Sequence, residues 1–199
     1  VNSSYLRDLL AADGAAKLPP WTVVLGLRGF EKAELAYKKN DLTAIAKTMK
    51  GELVPTLKGV KNAGDTVLEE INMPGGPSLH QEEDLSWVPL VTIATAGQIQ
   101  KGSALFPKHS GALIMPLQAG GCFYYQPDLR YPKGDLKATR KKYAAICATL
   151  IKAGVAFPRP SALIAKQVAA AYPRYFKLLR SIKKAVDPNN IMNPGKLGL

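Results

Sequence analysis

The stretch from Ala112 to Gln126, which reads ALIMPLQAGGCFYYQ, holds two apolar segments separated by a turn. Residues 112–117 and 121–126 are rich in aliphatic and aromatic side chains, a composition typical of strands. The Ala119-Gly120 pair lies between them and is suited to a turn. We therefore predict two neighbouring strands. Because side chains alternate across a strand, Phe123 and Tyr125 are predicted to face one way and Tyr124 the other.

A helix is predicted to follow these strands, from an N-cap residue at Asp135 to Ala153, with Gly154 ending it. Its apolar residues recur at helical spacing and form one stripe, which consists of Leu136, Tyr143, Cys147, Leu150 and Ile151. One apolar stripe is typical of a helix that packs on a sheet, so residues 113–154 are interpreted as a strand–helix unit.

An earlier unit is predicted between residues 22 and 55. Residues 22–27 predict a strand, residues 31–50 predict a helix that Gly51 ends, and residues 52–55 predict a second strand. Residues 90–94 have the composition of a further strand. Two strand–helix units of this kind indicate an α+β fold, with an antiparallel sheet and helices on one face.

The last third of the chain is predicted to be helical. Residues 157–160 are expected to be extended, because each proline disfavours helical angles in its predecessor. Helices are predicted over 161–171, with Ser161 as the cap, and over 173–186. The apolar side of the second helix carries Phe176, Leu179, Ile182 and Val186.

Composition excludes several protein classes. The 199 residues include 27 Lys and Arg against 15 Asp and Glu, a net charge of +12 that favours anionic partners of some kind. No apolar run is long enough to span a bilayer, and the first residues lack the pattern of a signal peptide. Two cysteines favour a reducing compartment, so we expect a cytoplasmic protein, with the periplasm as the alternative. His80 and His109 have no ligand partner at metal-site spacing, so no metal is expected.

The C-terminal run carries the most specific pattern. Residues 175–196 read YFKLLRSIKKAVDPNNIMNPGK, an amphipathic helix followed by Asp-Pro-Asn and then Pro-Gly-Lys. This order resembles the C-terminus of FAD-linked oxidases. Within that superfamily, Pro19-Pro20-Trp21 with the segment after it is similar to the start of the substrate (cap) domain in the vanillyl-alcohol oxidase and 4-cresol dehydrogenase branch. The strand, helix, Gly154 and Arg159 follow the order of the same branch.

The resemblance implies an architecture and a set of partners. It implies a ferredoxin-like cap domain over residues 1–154 and a tail over 155–199 that returns to pack on an FAD-binding domain. That FAD-binding domain is not found in this sequence, so we expect it on another chain, which is either a separately encoded subunit or the remainder of a cleaved chain, in a hetero-oligomer that is active only when complete. The implied cofactor is FAD, and the implied electron acceptor is oxygen, a cytochrome or another carrier.

The resemblance also implies a reaction and its residues. Arg159, Asn193 and Lys196 would contact the flavin, where a fixed cation stabilises the negative charge of the reduced ring. Arg159 would act in catalysis, or its guanidinium would bind a phenolate or carboxylate of the substrate. The side chains of Phe123, Tyr124 and Tyr125 would line the substrate pocket. Pro158 stands where the branch has a phenol-deprotonating tyrosine, so the expected reaction is oxidation of an alcohol or alkyl carbon, aromatic or not.

Two other functions compete with this enzyme hypothesis. A cap-like domain that only assembles or regulates a larger redox complex would keep the same packing residues without an ordered pocket. A basic module that binds nucleic acid is suggested only by the charge, and no nucleic-acid-binding motif accompanies it, so nucleic acid is not expected as a partner.

Overall fold

The computed structural model describes residues 1–10, 18–57, 62–72, 85–107 and 110–195. The chain forms two compact units, Val1–Gln81 and Glu82–Leu199, which are described separately. None of the helices in the described ranges is long and apolar enough to cross a membrane. His80 and His109 lie outside these ranges, and within them no group of three or more His, Cys, Asp or Glu side chains is arranged to hold a metal ion.

The first unit contains three helices in its described part: α1 (Ser3–Leu10), α2 (Lys32–Thr48) and α3 (Ala63–Asn72). Its small core lies between α1 and α3, where Tyr5, Leu6 and Val67 are almost completely buried. The predicted helix is confirmed as α2, but none of its described residues is buried. The apolar residues of α2 therefore lie at the predicted helical spacing, but they are not buried against any other described residue.

The two strands predicted beside α2 are wrong, because neither 22–27 nor 52–55 forms one. A strand depends on a series of hydrogen bonds to a neighbour. Among the described residues, the pairing with the N-terminus stops at the isolated bridge between Asn2 and Trp21 and at the bonds between Val1 and Thr22. The predicted end of α2 is shifted by one residue. Lys50 adopts the left-handed angle (φ 57°), and the Gly51 N–H donates to the Ala46 carbonyl at 2.8 Å.

The second unit is built around one long strand. Its strands are β1 (Leu85–Pro89), β2 (Thr92–Ala94), β3 (Ala112–Leu117) and β4 (Cys122–Pro132), and α4 (Ala96–Ser103) lies between β2 and β3. All three shorter strands pair antiparallel with β4. Because β1 and β2 keep the same register against β4, the chain from 85 to 94 runs along one edge of β4 while β3 lies along the other. The strand predicted at 112–117 is confirmed as β3.

The helices α5 (Leu136–Lys152), α6 (Ala165–Ala171) and α7 (Pro173–Val186) complete this unit. The core lies between the sheet and these helices, with Leu129 of β4 packed in one cluster with Ile146, Cys147 and Val168. The predicted α+β fold, with helices packing on an antiparallel sheet, is confirmed by the four strands and seven helices of the described residues.

Of three predicted helix boundaries in this unit, the first is confirmed, the second is correct in position only, and the third is wrong. The end of α5 at Gly154 is confirmed, since this glycine has a positive φ of 80°. Asp135 precedes α5 as predicted, but its side chain makes no capping hydrogen bond. The cap at Ser161 is wrong: its carbonyl accepts from the N–H groups of Ile164 and Ala165, so a turn comes first and α6 begins at Ala165.

Candidate functional site

Alternation along β4 separates an apolar face from a polar one. Leu129 lies in the core beneath the helices, so Phe123 and Tyr125, which have the same parity, share its face. The other face carries a row of polar and thiol side chains: Cys122, Tyr124, Gln126, Asp128 and Arg130. Contacts along the row agree with this assignment, because Tyr124 bonds Gln126 and Arg130 lies beside Asp128.

Within this row, Tyr124 has a hydroxyl group that can form a hydrogen bond with a ligand. Its hydroxyl donates to Gln126 Oε1 at 2.6 Å, and Gln126 is itself buried. Burial raises the pKa of the Tyr124 phenol, and the positive charge of Arg159 opposes that rise. The phenol is therefore neutral near pH 7, with its proton directed to Gln126, and its oxygen remains able to accept a hydrogen bond from a ligand.

Arg159 is brought within electrostatic range of Tyr124 by the segment after α5. Ala156 pairs with Ile93 on the edge of the sheet, and the flanking Val155 and Phe157 are buried. This anchorage fixes the position of the segment, while the guanidinium of Arg159 is exposed and forms no ion pair with any described residue. The structure thus places a free cation near the polar face of β4.

The remaining predicted pocket residues differ in accessibility. Phe123 is half-buried, whereas Tyr125 is only 4% exposed. Burial, together with the negative charge of Asp128, raises the pKa of Tyr125 to about 12. Tyr125 therefore belongs to the interior of the unit, and Tyr124 and Phe123 offer more surface to a ligand.

Asp128 is a buried carboxylate on this face that the sequence reasoning missed. It is 2% exposed, its carboxylate oxygens have no well-oriented hydrogen-bond donor among the described residues, and Arg130 Nε lies 3.6 Å from Oδ2. Burial raises the pKa of Asp128 to about 6. Gly111 backs the carboxylate so closely that a Cβ there would lie 2.6 Å from Oδ2. If the strand had been predicted to continue beyond Gln126, the alternation of side chains would have placed Asp128 on the same face as Tyr124. The strand was instead predicted to end at Gln126.

The C-terminal turn is organised by one carboxylate. Asp187 Oδ1 accepts from the Ile191 N–H and Oδ2 from the Met192 N–H, both at 2.9 Å. Lys183 forms an ion pair with Asp187 and also donates to the Met192 carbonyl. The hydrogen bond from Lys183 is the largest cause of the lowered pKa of Asp187. The turn is thereby held by side-chain contacts as well as by its backbone.

Left-handed backbone angles explain the residue types that follow in this turn. Asn190 (φ 51°), Asn193 (φ 46°) and Gly195 (φ 73°) all have positive φ, and asparagine and glycine are the residues that tolerate it best. Asn193 is exposed, as its predicted contact with a flavin requires. Lys196, the other predicted flavin ligand of the tail, lies outside the described residues.

One side of α7 is apolar and partly exposed. Of the four residues predicted to form the apolar side of this helix, Phe176 is buried and Leu179 is half-buried, but Ile182 and Val186 are about half and two-thirds exposed. Together with Tyr175 and Leu178 they form an exposed row along α7. We call this row, Tyr175, Leu178, Ile182 and Val186, the α7 stripe.

A groove open to solvent, with a volume of about 160 Å³, lies elsewhere in the second unit. It runs between α5 and the end of β4, and none of the predicted site residues lines it. Its walls are formed by Val88, Tyr131, Leu136, Thr139, Arg140, Tyr143, Ser161 and Leu163.

Comparison with known families gives a match that falls on the C-terminal part of the chain. The family described as FAD linked oxidases, C-terminal domain, matches residues 168–197, which span the last residues of α6, all of α7 and the Asp187 turn. No curated protein and no solved structure matches the chain. The match indicates that this segment is part of a flavin-linked oxidoreductase, a kind of enzyme that uses FAD.

Proposed function

We propose that this chain is the substrate-domain part of an FAD-dependent oxidoreductase of the vanillyl-alcohol oxidase and 4-cresol dehydrogenase type. It acts with an FAD-binding domain carried by another chain. The observation that carries the proposal is the coincidence of the family match at 168–197 with the exposed α7 stripe. The segment that resembles a flavin-oxidase terminus is also a segment that leaves apolar side chains uncovered.

The residues present fit a flavin in their chemistry. The reduced flavin carries negative charge around N1 and the C2 carbonyl, and FAD supplies the hydride acceptor of the reaction when it is bound. Arg159 is an exposed guanidinium without an ion-pair partner among the described residues, so it is available to such an anion. Asn193 offers an exposed amide on a rigid turn. These two residues, with Lys196, would hold the flavin edge.

The substrate is proposed to lie against the polar face of β4. The Tyr124 oxygen, whose proton is committed to Gln126, accepts a hydrogen bond from the substrate hydroxyl and so orients the carbon that loses hydride. Phe123 lies on the opposite, apolar face of β4, so Tyr124 is the substrate contact that this strand provides on the polar face. Because no tyrosine precedes Arg159, this chain offers no second phenol at that position, and an alcohol or alkyl carbon is the proposed site of oxidation.

The α7 stripe is proposed to be the contact with the FAD-binding domain. Ile191 and Met192, which follow the Asp187 turn, are 75% and 63% exposed and extend the apolar surface beyond the helix. An exposed apolar row of this length is costly in water and is typical of an interface. Covering it would also place Asn193 and Lys196 at the boundary between the two domains.

The proposal is tested by isolating the protein from its native source under non-denaturing conditions and recording its visible absorption spectrum. We expect a second chain and a flavin spectrum that a candidate alcohol or alkylphenol bleaches. A colourless preparation without a second chain would overturn the proposal.

A matched pair of α7 variants tests the interface. Leu178→Glu places a charge in the α7 stripe, whereas Ser181→Glu places the same charge on an exposed position outside it. Leu178→Glu should lose the second chain and the flavin, and Ser181→Glu should keep both. Equal retention in the two variants would contradict this assignment of the stripe.

A further inference from the structure

Three helices of the second unit carry basic residues and no acidic ones. The sequences of α5, α6 and α7 contain five, one and five Lys or Arg residues, respectively, and not a single Asp or Glu. These helices therefore hold eleven positive charges and no negative ones, in a chain whose net charge is +12. The excess charge is concentrated in one part of the fold.

The three helices form one layer, because α5 packs on β4 and α6, and α6 packs on α7. Their buried sides face the core, which leaves the basic side chains on the outer side. Ten of the eleven are exposed, and none of these ten forms an ion pair with a described residue; Lys183 alone is paired, with Asp187. We call the part of this surface that lies on α5 and α6 the cationic layer, because the α7 cations lie among the exposed apolar residues of the α7 stripe. The cationic layer consists of Lys137, Arg140, Lys141, Lys142, Lys152 and Lys166.

Repulsion within the cationic layer is not relieved by an ion pair with any residue that the structure describes. Lys137 and Lys141 are four residues apart on α5, a spacing at which like charges repel on a helix. The cluster at 137–142 also lies near the N-terminal end of α5, where the helix dipole disfavours cations. An anionic partner would relieve both effects.

The surroundings of the cations select the kind of anion. A bilayer is held by apolar side chains inserted among the cations, but Leu136 is the only large apolar residue exposed on the described α5 and α6. Single-stranded nucleic acid stacks on exposed aromatics, and the one aromatic residue of these two helices, Tyr143, is buried. Lysines that alternate with alanine and threonine are instead suited to a hydrated contact with another protein, in which charge guides the approach of the partner.

We propose that the cationic layer docks an acidic electron-carrier protein, an inference that rests on the proposed flavin chemistry. Reoxidation of FADH2 to FAD releases two electrons and two protons; two carrier molecules would take one electron each, and the protons would pass to solvent. Contacts of this kind are small, transient and salt-dependent. The layer therefore steers and orients the carrier, while affinity stays modest.

The test measures binding of the 199-residue chain to an acidic plant-type ferredoxin, with a basic c-type cytochrome as the probe of opposite charge. Binding needs no flavin, so its failure is distinct from a failure of the proposed oxidoreductase. We expect ferredoxin binding that weakens by about tenfold or more as salt is raised from about 50 to about 500 mM, and none for the basic probe.

Matched double variants locate the contact. Lys141→Glu with Lys142→Glu changes the layer, and Lys39→Glu with Lys47→Glu makes the same change on exposed positions of α2. Only the first pair should abolish ferredoxin binding, with the helical circular dichroism of both unchanged. Equal losses in the two pairs, or tighter layer-dependent binding to a DNA duplex or to phosphatidylserine vesicles, would overturn the proposal.

Discussion

Asp187 holds the N–H of Ile191 at 2.9 Å, four residues further along the chain, and through that contact it turns the backbone at the end of α7. Its second oxygen holds the N–H of Met192 at the same distance, while Lys183 approaches it from the last turn of the helix. The Asp-Pro-Asn pattern within the family match therefore has a local physical role. It ends the helix and fixes the direction of the segment that carries Asn193.

Replacing Asp187 by Asn should loosen this turn. An amide loses the ion pair with Lys183 and offers only one acceptor oxygen to the two N–H groups. Amide hydrogen exchange should become faster at Ile191 and Met192 and remain unchanged at Ile146 in the core. Uniform exchange changes across the unit would show that the effect is not confined to the turn.

The pH dependence of the turn follows from the same contacts. The pKa of Asp187 is lowered in the folded state, so its stabilising contribution is present above the ordinary aspartate pKa of about 4 and is lost as pH falls through the lower folded value. Protection of the Ile191 amide in the native chain should therefore decrease only at strongly acidic pH. A decrease between pH 5 and about pH 7 would contradict this.

Asp128 should produce the opposite pH dependence. Its pKa is raised from 3.8 to about 6, so the folded state holds its proton more tightly than the unfolded state does. Its contribution is therefore fully present below pH of about 4 and declines as pH rises through 6, by about 3 kcal/mol in all. Denaturant unfolding of the native chain, compared with Asp128→Asn from pH 4 to about pH 7.5, should show this loss only in the native chain.

Asp135→Asn is the matched control for that experiment, since this carboxylate is exposed and makes no capping hydrogen bond. Its pH profile should follow the native chain. A native profile that is parallel to that of Asp128→Asn would mean that Asp128 is ionised without penalty in the folded state.

Gly111 should not tolerate a side chain. An alanine Cβ would lie 2.6 Å from Asp128 Oδ2, inside any normal contact distance, so one of the two elements must shift. We expect Gly111→Ala to lower the free energy of unfolding by about 1–3 kcal/mol. Adding Asp128→Ala should recover part of this loss, because the clashing oxygen is then removed.

Gly97→Ala is the control, since a Cβ there meets nothing within 4 Å and the residue lies in α4. This variant should be neutral or slightly stabilising, as alanine favours helix over glycine. A Gly111→Ala chain as stable as Gly97→Ala would contradict the close approach of Gly111 and Asp128.

Elements with local signals were predictable from the sequence. β3 and α7 begin and end at the predicted residues, and α5 ends before Gly154 as expected. Proline at the first position of α7 and a left-handed glycine after α5 act within a few residues, so sequence reveals them. The strands predicted at 22–27 and 52–55 failed because pairing depends on a distant neighbour.

The extent of β4 was missed for a related reason. Pro127 and Asp128 are poor strand formers, yet the Leu90 N–H donates to the Pro127 carbonyl at 2.9 Å and continues the pairing. The sequence therefore indicated Tyr124 and Arg159 but not Gln126 or Asp128. The first two are marked by residue type and resemblance. Gln126 ends the predicted strand without such a mark, and Asp128 depends on how far β1 extends the sheet.

Arg159→Ala separates an enzyme from a cap-like assembly subunit. The guanidinium is exposed and lies near Tyr124, so its removal should not disturb the core or the α7 stripe, and the complex with the second chain should form as before. Turnover should fall by about 10²-fold or more, since a fixed charge beside the reduced flavin is lost. The control Lys39→Ala removes an exposed cation from α2 and should leave turnover unchanged. If Arg159→Ala keeps both turnover and assembly, Arg159 is not part of the active site; if the native complex binds flavin without oxidising any alcohol or alkylphenol, the assembly role replaces the enzyme hypothesis.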